Sequence, residues 1–304
     1  MRSSKILSLM TATLMASTVM AQAADILPPP VAEYPSEPEV VTHAPASGWY
    51  IRGDIGYAAL DADGVSYFQG PLLTGSFEQH DLDDTWMLQG GVGYQVTDYF
   101  RVDATLAYFG SADFNGSSAT NANCNPGAGF TVTNGTDTCN YTDDGELESL
   151  TLLMANAYVD LGTYKGFTPY VGAGIGGAHV SWGDLTNDQT CSSVTTGTVA
   201  ACDGNDFDHG GQEQWRFAWA LHAGASYDIN CKLKADIGYT YTSIEGGEMF
   251  GTGFNVNGTS PATGEGGNGF DDHIDIHSGH VGLRYALDGG NCRTPTPPPT
   301  IVYK

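Results

Sequence analysis

The stretch 280–287, His-Val-Gly-Leu-Arg-Tyr-Ala-Leu, alternates between large apolar side chains and smaller or polar ones. In an extended chain the first set, Val281, Leu283, Tyr285 and Leu287, falls on one face and the second set on the other. Seven earlier segments show the same two-residue period, and the intervals between segments are alternately short and long. The pattern predicts an all-β chain of eight antiparallel strands. The earlier strands are expected at 49–59, 85–96, 100–109, 150–161, 167–181, 215–228 and 232–243.

The first 23 residues have the form of a secretory signal peptide. Arg2 and Lys5 give a basic start, an apolar run follows at 6–20, and Ala21-Gln22-Ala23 is a small-residue cleavage site. The alternative is a membrane anchor. We favour cleavage, because the apolar run is shorter than the ~20 residues that a spanning helix needs.

Two proline-rich segments flank the predicted strands, at 24–47 and at 288–304. Proline excludes a helix there and favours extended, stiff conformations, so we expect a periplasmic linker and a periplasmic tail around a barrel domain at 48–287. No stretch after the signal peptide is apolar enough for a spanning helix. A membrane-spanning structure would therefore have to be a closed barrel.

Aromatic residues recur near both ends of the apolar faces, as Tyr57 does eight residues after Trp49. Eight residues of a strand tilted by about 40° rise roughly 20 Å, close to the ~25 Å apolar band of outer-membrane barrels. The alternative is a soluble barrel with its apolar side chains inside. Trp215, Phe217 and Trp219 share one face and would overfill an eight-stranded lumen. The expected fold is an eight-stranded, antiparallel, up-and-down transmembrane barrel with four long extracellular loops at 61–83, 111–146, 182–213 and 245–272.

Charged residues on the strands fall mainly on the face opposite the apolar one. Several follow a basic-x-Asp spacing, which puts both partners on the same face of a strand. We therefore expect ion pairs that close the lumen, in place of an open channel. The predicted members are Arg52, Asp54, Arg101, Asp103, Asp160, Arg216, Lys234, Asp236 and Arg284.

Six cysteines in an exported chain predict disulfides, and the absence of any Cys-x-x-Cys pair disfavours a zinc site. Two cysteines fall in the second predicted loop, two in the third, and two at the short-turn end of neighbouring strands. The expected bridges are Cys124–Cys139, Cys191–Cys202 and Cys231–Cys292.

The predicted loops are acidic and contain no Lys or Arg, in a chain of net charge −24. This field repels haem propionates, phosphates and nucleic acid, and no cofactor is expected. One hypothesis is weak binding of Ca²⁺ or Mg²⁺ by carboxylates of the loops. The alternative, which we favour, is a hydrated acidic surface with no ordered ion. The candidate ligands are Asp143, Asp144, Glu146, Asp203, Asp206 and Asp208.

Three stretches resemble the small outer-membrane surface antigens of alphaproteobacteria, a family described as porin-like or haem-binding: Gly-Trp-Tyr-Ile-Arg-Gly-Asp-Ile-Gly-Tyr at 48–57, Thr-Pro-Tyr-Val-Gly-Ala-Gly-Ile-Gly at 168–176, and 280–287. The last is also similar to the closing-strand signal read by the barrel assembly machinery, although it ends in Leu287 where an aromatic residue is usual. The resemblance implies a Gram-negative outer-membrane barrel in contact with lipid and lipopolysaccharide, with structural and surface roles. The expected mature start at Ala24 resembles members that are joined to peptidoglycan; the alternative is an ordinary cleavage site.

The function expected from these features is a structural surface barrel that contributes to envelope integrity. The alternatives are a small-solute porin, a surface protein that binds haem or a host surface, and a lipid-A-modifying enzyme. The chain has neither a Gly-x-Ser-x-Gly nor a His-Glu-x-x-His motif, so no enzyme is expected. The only candidates for a hydrolytic set are Ser76, His80 and Asp81, or His277 and Ser278.

Overall fold

The computed structural model describes residues 48–69, 73–77, 79–120, 137–193, 199–201, 207–255 and 268–287. The expected signal peptide, linker with Ala24, and tail lie outside these residues. In the described part of the chain, no helix is long and apolar enough to cross a membrane.

The strands are β1 Gly48–Asp63, β2 Ser66–Gln69, β3 Leu73–Ser76, β4 Gln79–Leu82, β5 Thr85–Gln95, β6 Phe100–Phe109, β7 Ala112–Thr120, β8 Asp137–Asp160, β9 Phe167–Trp182, β10 Leu185–Ser193, β11 Val199–Ala201, β12 Phe207–Gly211, β13 Glu213–Asp228, β14 Leu233–Asn255 and β15 Asn268–Ala286.

Eight of the described strands pair in a closed circle, in the order β1, β5, β6, β8, β9, β13, β14, β15 and back to β1. Every pair is antiparallel, so the predicted all-β antiparallel class is confirmed. Short turns at 96–99, 161–166 and 229–232 connect strands at one end, which we call the short-turn end. Gly162 and Gly166 adopt positive φ values of 98° and 83° in one of these turns, a conformation that suits glycine.

The large apolar side chains of the ring point outward. Trp49 and Tyr57 of β1 are 53% and 60% exposed, and Trp215 of β13 is 62% exposed. A water-soluble barrel would hide these groups, whereas a barrel in lipid has to display them. The same outward set includes Ile51, Ile55, Trp86, Leu88, Leu106, Ile175, Phe217, Leu221, Ile237, Val281 and Leu283.

Opposite the short-turn end, the strands continue well past the apolar band; we call this the long-strand end. β8 has 24 residues and β14 has 23, and short strands such as β7, β10 and β12 extend the wall further. The sequence predicted loops in these intervals, but their described parts are largely β-structure. The alternation is also inverted here: in β8, Leu147 is buried while Asp144 and Glu146 are exposed. A part of the barrel wall that is in contact with water has polar side chains on its outer face. Its strands therefore lack the outward apolar residues by which the lipid-facing strands were predicted.

The interior has two layers of different chemistry. Towards the short-turn end it holds charged and polar side chains, described below. Towards the long-strand end it holds a continuous cluster of buried apolar residues, which we call the apolar plug. Its largest fully buried members are Phe109, Phe114, Leu147, Leu150, Ile244, Met249, Phe250, Ile274 and Ile276.

Candidate functional site

The charged layer is centred on Arg52, which lies inside the barrel on β1. Its Nε donates to Oδ2 of Asp54 at 2.9 Å, and its Nη1 donates to Oδ2 of Asp103 on β6 at 3.2 Å. The side chains of Arg52 and Asp54 are 3% and 0% exposed. Nη1 also donates to Oη of Tyr158 at 3.2 Å. A single guanidinium therefore pairs with two buried carboxylates and links three strands.

Arg101 makes the second ion pair, with its Nε 3.1 Å from Oδ1 of Asp160 on β8. Its guanidinium also lies over two tyrosine rings, 4.1 Å from the centroid of Tyr158 and 4.6 Å from that of Tyr170. These distances are within the range of cation–π attraction. Asp160 and Tyr158 belong to β8 and Tyr170 to β9, so Arg101 on β6 contacts the next two strands of the ring.

Arg284 makes the third ion pair from β15. Its Nη2 donates to Oδ1 of Asp236 at 3.0 Å and to Oγ of Ser226 at 2.6 Å, and its guanidinium lies 5.3 Å from the ring of Tyr50. Oη of Tyr50 in turn donates to Oδ2 of Asp103 at 3.2 Å, which joins this pair to the one around Arg52. We call these connected residues the polar plug: Tyr50, Arg52, Asp54, Arg101, Asp103, Asn156, Tyr158, Asp160, Tyr170, Ser226, Asp236 and Arg284.

Glycines on β9 make room for the polar plug. A Cβ atom at Gly172 would lie 2.5 Å from Cδ1 of Tyr158, and one at Gly174 would collide with Oδ1 of Asn156. In an extended strand both glycines fall on the same face, and no side chain stands on that face at either position. The reason is steric: the large inward side chains of β8 occupy the space that a β9 side chain would fill.

Two histidines of the lumen were not predicted to belong to this layer. His222 contacts Asn156 through Nε2 at 3.1 Å and Thr240 through Nδ1 at 3.0 Å. His280 is buried near Asp54 on the inward face of β15. The sequence could have indicated this position. His222 lies on the same face of β13 as Arg216, and His280 on the same face of β15 as Arg284, so all four side chains point inward.

Two predicted members of the ion-pair set lie elsewhere. Arg216 pairs with Asp271, its Nη1 lying 2.6 and 2.7 Å from the two carboxylate oxygens, at the long-strand end beside the apolar plug. Burial raises the pKa of Asp271 above its usual value, and Arg216 opposes that shift. Lys234 pairs with Asp228 at 2.6 Å, near the short-turn rim, and is partly exposed. Asp236, its predicted neighbour, pairs with Arg284 instead, because Arg284 reaches it from the adjacent strand.

Aromatic side chains close the far side of the apolar plug. The ring of Phe114 lies 6.0 Å from those of Trp182 and Phe250 and 5.8 Å from that of Phe77, measured between centroids. Edge-on and tilted contacts of this kind are favourable and exclude water. The interior of the ring thus holds paired charges at one level and packed apolar groups at another.

Among the described residues, the cation ligands expected in the second predicted loop do not lie on one face of β8. Asp143 points inward, is 3% exposed, and accepts a hydrogen bond from Nδ2 of Asn187. Asp144 and Glu146 point outward, because neighbouring residues of a strand face opposite sides. Burial raises the pKa of Asp143, which disfavours the charged form that a cation would need. Asp208 is exposed on β12, and Asp203 and Asp206 lie outside the described residues.

Cys231 is disulfide-bonded, while its predicted partner Cys292 lies outside the described residues. The backbone register sets Cys139 on β8 directly opposite Cys191 on β10. Cys124 and Cys202, their predicted partners, also lie outside the described part of the chain. The three predicted bridges therefore stay predictions.

The residues weighed for hydrolysis do not form a set. His277 is exposed on the outer face of β15, whereas Ser278 is 2% exposed on the inner face and donates to the carbonyl oxygen of Thr240 at 3.3 Å. Consecutive residues of one strand cannot share a site across its wall. His80 and Asp81 are likewise consecutive on β4.

The chain matches a family model, the outer membrane protein beta-barrel domain, over residues 9–260. The chain belongs to this family. The family places the protein in the Gram-negative outer membrane. An uncharacterized protein of Brucella abortus is 34% identical over 295 residues, which cover 92% of this chain and 97% of that protein.

A Rickettsia felis protein, provisionally named an adhesin, is 26% identical to the present chain. The matched residues cover 71% of the present chain and 80% of the Rickettsia protein. Among solved structures, Neisserial surface protein A aligns with 79% of this chain and 99% of its own, at 13% identity and a TM-score of 0.38. A likeness at that score carries no argument about function.

Proposed function

We propose that this outer-membrane barrel is a sealed, non-conducting protein with a structural and surface role in the envelope, and that its long-strand end faces the outside of the cell. The observation that supports the proposal is the presence of two successive layers of buried side chains inside the ring, the polar plug and the apolar plug. A porin needs a continuous aqueous path, and an eight-stranded ring is only just wide enough for its own side chains. Paired charges and packed aromatics at successive levels suit a rigid wall element better than a channel.

The test is conductance of the purified, refolded protein in planar lipid bilayers, with a general-diffusion porin as the positive control. We expect no discrete current steps at protein amounts that give many steps with the porin. Insertion has to be shown separately, by protease protection in vesicles of the same lipid. Regular steps from inserted protein would refute the sealed lumen and favour the porin alternative.

A link to peptidoglycan through Ala24 is a further part of this proposal. The proline-rich segment 24–47 would give the connection length and stiffness, which a structural role between barrel and cell wall requires. Digestion of purified peptidoglycan followed by mass spectrometry should release a peptide that begins at Ala24. If every Ala24 peptide is found in the detergent-soluble fraction, the tether is excluded and the barrel acts by itself.

Adhesion is the second candidate, and two observations favour it. The Rickettsia relative is provisionally named an adhesin, and the strands of this chain extend beyond the lipid-facing band with a polar outer surface. A variant with 121–136 replaced by a short Gly-Ser linker should retain the folded barrel. Reduced binding of cells that display this variant to host cells, compared with wild type, would support adhesion. Equal binding would leave the structural role as the better account.

A further inference from the structure

A cluster of potential metal ligands lies on the outer wall near the long-strand end; we call Asp63, His273 and Asp275 the rim cluster. Asp63 ends β1 and is the register partner of His273 on β15, and Asp275 follows two residues later on the same face. Nε2 of His273 lies 3.1 Å from Oδ2 of Asp63 and 3.8 Å from Oδ2 of Asp275. All three ligand atoms lie within 4.8 Å of one another.

These distances suit a tetrahedral transition-metal ion. Bonds of ~2.0 Å from Zn²⁺ to nitrogen and oxygen put neighbouring ligand atoms about 3.3 Å apart, between the two values seen for His273. One imidazole nitrogen with two carboxylates is a ligand set for Zn²⁺, whereas Ca²⁺ and Mg²⁺ prefer oxygen atoms alone. The mixed nitrogen and oxygen ligands of the cluster therefore favour a cation of intermediate softness such as Zn²⁺.

The carboxylate of Asp275 is oriented from behind. Oη of Tyr241 on β14 donates to its Oδ2 at 2.9 Å, the type of outer contact that fixes a metal ligand in place. Its Oδ1 is shielded from solvent and has no hydrogen-bond partner among the described residues. The carboxylate of Asp275 thus has one oxygen whose acceptor capacity is unfilled, and a bound cation would satisfy that capacity.

The charges around the rim cluster also favour a cation. Glu245 on β14 is the register partner of His273 on its other side, and Asp61 on β1 is that of Asp275. The basic residues of these three strands, Arg52, Lys234 and Arg284, all lie near the short-turn end. No positive side chain of β1, β14 or β15 therefore opposes the approach of a metal ion.

We propose that Asp63, His273 and Asp275 bind one Zn²⁺-class divalent metal ion on the outer wall of the barrel, with Asp63 and Asp275 as the anionic ligands and the fourth position open. Asp63 lies six positions after Tyr57, an outward aromatic residue of β1. At the tilt of such barrels, six steps of a strand rise about 15 Å, which places the metal above the lipid-facing band. The site is independent of whether the lumen conducts.

The first experiment is calorimetric titration of Zn²⁺ into the folded, chelator-treated protein in detergent micelles. Wild type should show one saturable site, and His273→Ala should weaken it by about 100-fold or more, since even outer contacts cost 10–100-fold. The matched control is His277→Ala, which removes an exposed histidine of the same strand and face and should leave the site intact. Zn²⁺ affinity that is equal in wild type and His273→Ala, or no saturable site in wild type, overturns the proposal.

Co²⁺ provides a second readout that does not depend on heat. Wild type should show the strong visible absorption of four-coordinate Co²⁺, and Zn²⁺ should displace it, while millimolar Ca²⁺ should not. Asp63→Asn should reduce this absorption and Tyr241→Phe should weaken Zn²⁺ binding by roughly 10-fold. Heat-modifiable migration on gels checks that each variant is folded. A weak octahedral spectrum that Ca²⁺ removes would mean general attraction to acidic groups and would refute the assigned site.

Discussion

Arg52, Arg101 and Arg284 carry positive charge in the interior of a cylinder whose outer wall faces lipid. Each has a carboxylate within 3.2 Å and a tyrosine ring within 6.0 Å. Taking such a group out of water is expensive, and the partner's attraction offsets the cost only when the geometry is good. Arginine suits this position better than lysine, because its planar group can bond two carboxylates and stack on aromatic rings together.

Removal of the Arg52 guanidinium should strongly destabilise the barrel. Arg52→Met leaves Asp54 and Asp103 buried without their common partner, which is expected to cost about 3–5 kcal/mol. The control is Lys234→Met, whose partly exposed pair with Asp228 should contribute no more than about 1 kcal/mol. Urea unfolding in phospholipid vesicles measures both. Equal midpoints for the two variants would contradict the central role given to Arg52.

Asp143 provides a pH-dependent prediction. Because burial raises its pKa in the folded protein, its charged form costs stability at neutral pH, and that cost disappears below the pKa of the unfolded chain. Asp143→Asn keeps an oxygen that can accept from Asn187 and carries no charge. The variant should therefore slow hydrogen exchange in 137–146 at pH 7, with the difference from wild type vanishing near pH 3. A variant that exchanges faster at pH 7 would reverse the sign and refute the argument.

At the scale of strands, the sequence predicted which side of each transmembrane segment meets lipid. That inference succeeds because the membrane strongly constrains the orientation of the side chains. A polar group facing lipid would cost free energy, and an inward Trp219 would not fit the narrow lumen. The continuation of β8 and β14 could not be predicted in the same way. Once a strand leaves lipid, both faces become mixed in composition, and Asp, Gly and Thr in such a stretch are also what loops contain.

Which carboxylate each basic residue of the lumen pairs with could not be predicted from the sequence, for a different reason. The basic-x-Asp spacing puts Lys234 and Asp236 on one face, but a longer side chain from the neighbouring strand, Arg284, reaches Asp236. Cross-strand register and side-chain length decide such contacts, and neither is visible in a single sequence. The contact of Arg216 with Asp271 was missed because Asp271 was assigned to a loop.

The steric fit between β8 and β9 gives a prediction at this scale. Gly172→Ala would place a methyl group against Tyr158 and against the backbone oxygen of Ala157, at 2.5 and 2.8 Å, and backbone cannot yield as a flexible side chain can. We expect a loss of about 1–3 kcal/mol in unfolding free energy. Gly53→Ala is the matched control, because a Cβ there meets nothing within 4 Å. Stability equal to that of the control would mean that the strands separate more easily than this packing implies.

At the scale of the whole molecule, two kinds of barrel are joined end to end. The part that spans the membrane is apolar outside and charged inside, as the sequence predicted. The part beyond it is polar outside and apolar inside, like a water-soluble barrel, and was not predicted. Both arrangements follow from one rule: the outer face carries apolar side chains where the wall contacts lipid and polar side chains where it contacts water. Paired charges inside the barrel were expected; an apolar layer made of Phe114, Phe250 and their neighbours was not.

Because the two plugs lie in series, loosening one should not open the lumen. Phe114→Ala with Phe250→Ala removes two rings from the apolar plug, each worth about 3–5 kcal/mol in a packed core, and should expose the long-strand end to proteinase K. The polar plug stays intact, so the variant should still show no conductance in planar bilayers. Phe217→Ala, which removes a lipid-facing ring, controls for loss of an aromatic group and should stay protease-resistant. Current steps in the double variant would show that paired charges alone do not exclude ions, and that the apolar plug is the true barrier.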